Sequence, residues 1–436
     1  MAGGRVVTPE AVLDVDVAVR DGTIAGIGTA DRTAAEVIDA SGCFVLPGGV
    51  DPHSHLLENL PEATTAAAFG GTTTTLVFTN PGPDERPADA LLRAIDQVGG
   101  EAAVDVGLHA SIYRPALLGE KEIESLQRLG ADAIKLFLAY PELGIMASVA
   151  DLSRAMSAAA RLGLPVQVHC EDGDLIETLA EAFSARGERG PRAFVDTRPP
   201  AVEETAVCRA LAVANLTGCE LYVTHISCAG VIDHIRSARH RGHPVRAEVC
   251  IHHLLLDESR YRGEDAASFL VAPPLRSVDD LTALEEAARD GTIDSVGSDH
   301  GEDRTPVESR LSSAGEGYGL RGVEARLPLL LSWGLEHGIP IERLAHLAAT
   351  GPADAFGYLQ KGRIAVGCDA DLVVWDPSPD WVVGNQSFRD RSGSIYSGLK
   401  VRGQVRSVLL GGRPLVIDGE LAGTARLGRV VRPARR

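Results

Sequence analysis

Aromatic residues are sparse in this chain, with phenylalanine, tyrosine and tryptophan together making 4% of 436 residues. The core must therefore come from Val, Leu, Ile and Ala, with close helix–strand approaches through Ala and Gly. The remaining composition, 44% hydrophobic and 23% charged, is that of a soluble globular protein. Lysine is scarcer still: only Lys121, Lys135, Lys361 and Lys400 occur, and arginine carries nearly all the positive charge. A lysine in an apolar setting is therefore conspicuous. No apolar run reaches the ~18 residues of a membrane-spanning helix, and the N-terminus has no basic-then-apolar signal pattern. The seven cysteines (43, 170, 208, 219, 228, 250 and 368) are odd in number and include no CxxC pair, which argues against a disulfide framework and against a thiolate zinc site. A cytoplasmic protein with reduced thiols is expected. The net charge of −18 has the wrong sign for nucleic acid or an anionic membrane as partner. The only dense basic run, 426–436, reads as a solvated terminus.

Residues 1–49 alternate short apolar runs (12–19, 24–27, 37–38, 44–46) with turn signals such as Asp21-Gly22, the pattern of strands and hairpins. The same texture returns over 361–420, in runs 369–375, 405–410 and 414–417 separated by Gly411-Gly412 and followed by Asp418-Gly419. Each half is too short to bury a core alone, so the two ends are expected to build one small β-sandwich domain, with 421–436 as a C-terminal tail. Between them, apolar β-rich runs at 45–50, 72–78, 104–110, 133–138, 166–169, 221–226, 245–251 and 293–297 alternate with helically spaced stretches at 88–98, 117–129, 149–162, 175–183, 203–215, 231–239 and 279–288. Eight buried strands alternating with helices predict an α/β fold, a (β/α)8 TIM-like barrel over 50–360, with a doubly wound open sheet as the alternative. The polar segment 301–322 reads as a flexible lid, because Gly315-x-Gly317-x-Gly319 lacks the strand–turn–helix setting of a phosphate loop.

His53-Ser-His55 closes the first barrel run. On an extended strand the period of two puts both imidazoles on one face, where they make a metal edge. Alone this is a weak signal. Lys135 ends the fourth run, His169 the fifth, His225 the sixth, and Asp299 the eighth. The C-terminal strand ends of a barrel meet at one mouth, so four imidazoles, one amine and one carboxylate are aimed at a common volume. Lys135 lies among Ile, Leu and Phe, where an ammonium is costly and its pKa should fall. A neutral amine there can add carbon dioxide and give a carbamate long enough to bridge two cations. The other reading is a lysine snorkelling to the rim or paired with Asp299.

The order of motifs resembles the cyclic amidohydrolases, a family that includes dihydropyrimidinases, hydantoinases, allantoinases and dihydroorotases. The resemblance rests on Pro47-Gly-Gly-Val-Asp-Pro-His-Ser-His55, Ala68-Phe-Gly-Gly-Thr-Thr-Thr74, Lys135-Leu-Phe-Leu-Ala-Tyr140, Val168-His-Cys-Glu171, Pro273-Pro-Leu-Arg276, Gly297-Ser-Asp-His300, Gly322-Val-Glu324 and 362–372, and it spans about residue 5 to residue 420. It implies that His53, His55, carboxylated Lys135 and Asp299 hold one divalent metal, and that the carbamate, His169 and His225 hold a second. Zinc suits these ligands, with manganese or iron as alternatives. It also implies a hydroxide bridging metals ~3.5–4 Å apart, which attacks a ring carbonyl, with Asp299 moving the proton from attacking oxygen to leaving nitrogen.

Within the family, Tyr140 resembles the tyrosine with which hydantoinases and dihydropyrimidinases bind the developing oxyanion. Ala272, where relatives usually have serine, and Tyr318 would hold the ring mainly through backbone groups. Dihydroorotases resemble His-x-His-x-Arg instead, and Leu56-Leu57 after His55 offers no such arginine. The segment 56–63 reads as a shortened loop in place of a longer hydrophobic gate. His109 reads as a packing residue, His252 and His253 as wall residues, His300 as pointing away from the site, and Cys170 as lacking an activating base. The favoured expectation is a hydantoinase- or dihydropyrimidinase-type hydrolase opening a small cyclic amide, assembled as a homodimer or homotetramer. An allantoinase, a dihydroorotase or other cyclic-imide hydrolase, and a non-catalytic scaffold relative, are the alternatives.

Overall fold

The computed structural model describes residues 1–29, 36–301, 319–423 and 426–434. In chain order the strands are β1 (Arg5–Val7), β2 (Val12–Asp14), β3 (Asp16–Arg20), β4 (Thr23–Gly28), β5 (Phe44–Pro47), β6 (Gly49–Ser54), β7 (Thr72–Phe78), β8 (Asp105–Ser111), β9 (Ile134–Phe137), β10 (Val166–His169), β11 (Leu221–Val223), β12 (Val245–Cys250), β13 (Ser295–Gly297), β14 (Leu372–Val382), β15 (Lys400–Leu410), β16 (Arg413–Ile417) and β17 (Glu420–Leu421). Strands β6 to β13 form one parallel eight-stranded sheet in sequence order, the barrel expected from the eight runs. It closes where β6 meets the segment after β13: Asp299 N–H donates to the His53 carbonyl at 3.0 Å and His55 N–H to the His300 carbonyl at 2.8 Å.

The connecting helices form where local signals agree. Val149–Leu162 begins with a reciprocal capping box between Ser148 and Asp151 and ends at Gly163, whose φ of +63° suits a residue without a side chain. The helix Arg326–Glu336, absent from the sequence-based reading, is buried all round over Leu327–Leu331 and so shows no helical period. Among the described residues, no helix is long and apolar enough to cross a membrane.

The chain ends build the second sheet, ordered β17-β16-β15-β14-β5-β1-β2. Alternation divides its two faces. Val7, Phe44, Leu46, Val373, Trp375 and Val408 face the barrel core, while Val6, Val45, Leu372, Val374 and Leu409 pack under the β3–β4 hairpin with Val17 and Ile24. One lock joins this sheet to the barrel floor: buried Lys361 Nζ lies 2.8 Å from Asp105, 3.0 Å from Asp369 and 2.8 Å from Asp371.

Three expectations change. The run 45–50 is not one strand: β5 belongs to the terminal sheet and β6 to the barrel. The switch lies at Gly48, where any Cβ would collide with Thr73 and where N–H bonds to the Asp371 carbonyl at 2.8 Å. Segment 56–63 is not an open loop: a 3-10 turn at Leu57–Asn59 runs directly into the helix Leu60–Phe69, and Leu56, Leu57 and Leu60 are buried. The basic tail is not simply solvated. Val106 N–H donates to the Arg429 carbonyl at 2.9 Å, Val431 N–H returns to Val106 at 2.9 Å, and Val431 is buried beneath the barrel floor. The proposed lid falls largely on residues outside those described.

Candidate active site

The strand ends aim the six candidate ligands at one mouth. His53 sits in β6, with Nδ1 2.8 Å from Glu248 and Nε2 3.1 Å from Asp299 Oδ1. His55, two residues on, brings Nε2 to 3.6 Å from the same oxygen, and its ring stacks on Phe78 at 5.0 Å. His53, His55 and Asp299 thus form a group able to hold a metal ion. On the other side, His169 Nδ1 lies 3.0 Å from His225 Nε2. His225 Nδ1 is buried with no hydrogen-bond partner among the described residues. The two halves meet at His53 and His225, whose rings are 5.3 Å apart.

Lys135 stands between them. Its Nζ donates to Thr224 Oγ1 at 2.8 Å and lies over Phe78 and Phe137, 5.1 and 5.6 Å from the ring centres. It makes no ion pair with Asp299 at bonding distance and does not snorkel, being 2% exposed. Burial lowers its pKa to about 8, against the pull of Glu248 and Asp299. Burial also holds His169 below its ordinary value and His225 well below it, so both rings are neutral. His53 behaves differently: burial lowers it, but Glu248 and Asp299 outweigh that and raise it to about 9 in the metal-free protein. Asp299 lies well below the usual carboxylate range, because His53 and His55 overcome its burial.

Tyr140 lies beside His169, with ring centres 5.0 Å apart. Burial and Glu171 push its phenol well above the ordinary value, so it remains a proton donor. Backbone strain is concentrated here. Tyr140, His225 and Asp299 have φ of +67°, +38° and +46°, a region costly to side chains and characteristic of functional sites. Ala272 lies on the loop that leads into Pro273, and Tyr318 is outside the described residues. His109 packs between Phe78 and Phe356 and bonds the Pro52 carbonyl at 3.1 Å. His300 turns outward to receive the Gly322 and Val323 N–H groups at 3.1 and 3.2 Å.

Sequence pattern alone assigns no role to two further carboxylates, Glu248 and Glu171. Glu248, fully buried in β12, accepts from His53 Nδ1, from His225 N–H at 3.1 Å and from Tyr222 O–H at 2.8 Å. Glu171 takes His169 Nε2 at 2.9 Å and is backed by Arg198 at 3.8 Å. Each orients one imidazole so that its other nitrogen faces the mouth. The available signal was an acidic residue inside an apolar strand, Val245-Arg-Ala-Glu-Val-Cys250.

Comparison with known proteins agrees with this geometry. The amidohydrolase family model matches residues 44–415. A D-hydantoinase of Ralstonia pickettii is 33% identical over 98% of this chain and 97% of its own length. An allantoinase of Rubrobacter xylanophilus is 33% identical over 96% of this chain and 94% of its own. The crystal structure of dihydropyrimidinase from Brevibacillus agri superposes with a TM-score of 0.94 at 33% identity, covering 100% of this chain and 99% of that one. With barrel, ligand cluster and sequence in agreement over nearly its whole length, the chain belongs to the amidohydrolase family.

Proposed function

We propose that the protein opens a small cyclic amide of the hydantoin or dihydropyrimidine type by adding water across a ring C–N bond. The observation that carries this is the setting of Lys135, a buried amine with a pKa of about 8 between two pairs of histidines. A neutral amine adds carbon dioxide, losing one proton and gaining a carboxylate. His53, His55, Asp299 and the Lys135 carbamate would then hold one divalent ion, and the carbamate, His169 and His225 a second. The donor chemistry fits: His225 Nδ1 is a buried nitrogen with no hydrogen-bond partner among the described residues, and His169 and His225 bring ring nitrogens within 3.0 Å of each other. Two such ions, zinc in preference to manganese or iron, supply an acidified water and a polarised carbonyl.

The remaining steps belong to the chain. Asp299, held ionised by His53 and His55, takes the proton of the attacking water and delivers it to the ring nitrogen as the C–N bond breaks. Tyr140 keeps its proton and donates a hydrogen bond to the oxygen on which negative charge develops. The products are a carboxylate and an N–H at the opened ends. Allantoin is the second candidate substrate, because the Rubrobacter allantoinase shares the 33% identity of the Ralstonia hydantoinase. Lack of an arginine after His55 disfavours a carboxylated ring such as dihydroorotate. A homodimer or homotetramer belongs to the same proposal and is checked by light scattering. Metal-loaded protein tested against dihydrouracil, 5-substituted hydantoins, allantoin, dihydroorotate and succinimide should open the first two classes fastest. Turnover of none of them would refute the reading.

A further inference from the structure

Beside the principal ligand cluster, β12 runs straight into the short helix Ile251–Leu255, with Cys250 at the junction. This turn gathers the ligand atoms of Cys250, His252 and His253 within 4.8 Å of one another, and all three residues are buried. Among the described residues, neither ring nitrogen of His252 has a hydrogen-bond partner, nor has Nδ1 of His253. Each unmet buried polar group costs about 1–3 kcal/mol, so three in one place mark a site shaped for something else. His253 is already oriented: its Nε2–H donates to the Pro273 carbonyl at 3.1 Å, which leaves the Nδ1 lone pair free. Burial keeps both imidazoles neutral, His253 at about 4 and His252 well below its ordinary value. The Cys250 thiol points toward Glu248 Oε1 at 3.8 Å.

One sulfur and two imidazole nitrogens within this span are the donor set of a tetrahedral zinc-class cation with one open position. We propose that Cys250, His252 and His253 form a separate binding site for one such cation, apart from the six ligands at the mouth. Binding breaks the S–H bond and forms a sulfur–metal bond, with the proton released to solvent. The spacing Cys-x-His-His escapes a search for paired cysteines, since the thiol stands alone and the imidazoles supply the rest. The site is independent of which ring the enzyme opens.

Cobalt provides the test, because thiolate ligation of Co2+ gives a near-ultraviolet charge-transfer band, whereas ligands of nitrogen and oxygen give only visible ligand-field bands. None of the six ligands at the mouth is a cysteine. Protein stripped with a chelator and reloaded with Co2+ and bicarbonate should develop the near-ultraviolet band as one additional equivalent binds. Cys250→Ser should lose both the band and that equivalent, and His252→Gln should weaken the added binding at least tenfold. Visible bands retained in both variants report that they are folded and loaded at the mouth. A wild-type protein without the near-ultraviolet band, or a band undiminished in Cys250→Ser, would overturn the site. Failure of the substrate panel alongside a Cys250-dependent band would instead count only against the proposed function.

Discussion

Replacing Glu248 with glutamine removes one negative charge while keeping the shape of the side chain. The carboxylate receives His53 Nδ1–H and His225 N–H on one oxygen and Tyr222 O–H on the other. A glutamine carbonyl at the first position keeps two of these donors. The new NH2 then faces Tyr222, whose hydroxyl can turn to donate to Ser295 Oγ, 2.7 Å away, and accept from the amide. These three donors keep partners, so Glu248→Gln chiefly removes the charge. Alanine would orphan three donors at about 1–3 kcal/mol each and threaten the fold. With only the charge gone, His53 becomes a weaker ligand. Loss of such a supporting carboxylate typically weakens metal affinity about 10–100-fold, or ~1.4–2.7 kcal/mol. Competition against a chelator of known affinity reads this directly, and activity should recover at saturating metal. In the metal-free protein, where His53 is held at about 9, the variant should also titrate His53 at lower pH by NMR. Metal affinity within twofold of wild type in folded Glu248→Gln would refute the reasoning.

The other predictions concern Lys135, Tyr140 and Lys361. Lys135→Ala should lose most activity and regain part of it with short carboxylic acids; full activity without them would end the carbamate proposal. At fixed dissolved CO2, activation of stripped protein should quicken as pH rises through about 8, where Lys135 loses its proton, and a flat profile from pH 6.5 to about 9.5 would contradict this. Tyr140→Phe should retain metal while kcat falls roughly 10²–10³-fold, and an unchanged kcat would reduce Tyr140 to packing. Lys361→Met leaves three carboxylates facing one another and should cost about 3–5 kcal/mol, seen as an earlier urea midpoint with metal content intact. An unshifted midpoint would show that the cluster contributes no stability.

Much of the barrel was legible because its strands are buried on both faces and read as continuous apolar runs; β7 and β10 coincide with theirs. The errors have local causes. Val45 and Val50 sit in one apolar run, but Pro47-Gly48-Gly49 lets the chain leave one sheet for another, and hydropathy does not register a change of partner. In the tail, the side chains of Arg426, Arg429 and Arg432 hide the apolar pair Val430 and Val431, and the backbone of 429–431 pairs with Val106. The candidate site was legible where a residue's type and strand position coincide, as for His53, His55, His169, His225 and Asp299. Glu171 and Glu248 act on those residues across 2 and 195 positions of sequence, and only the fold reveals such pairings.

Scarcity singled out lysine as a class, but environment separates its members. Lys361 and Lys135 are both buried. Lys361 is encircled by Asp105, Asp369 and Asp371, which raise its pKa despite the burial, so it remains a cation and serves as a structural tie. Lys135 has a hydroxyl for its hydrogen bond and two phenyl rings around it, and the carboxylates that pull on it, Glu248 and Asp299, are engaged by histidines. Its charge is therefore poorly compensated, and its pKa falls to about 8. The difference lies in who owns the nearby carboxylates. At the floor three carboxylates outweigh the burial of the amine; at the mouth burial outweighs the pull of Glu248 and Asp299, which are also engaged by imidazoles. By engaging those two carboxylates, the histidines contribute to the setting on which the proposed Lys135 carbamate depends.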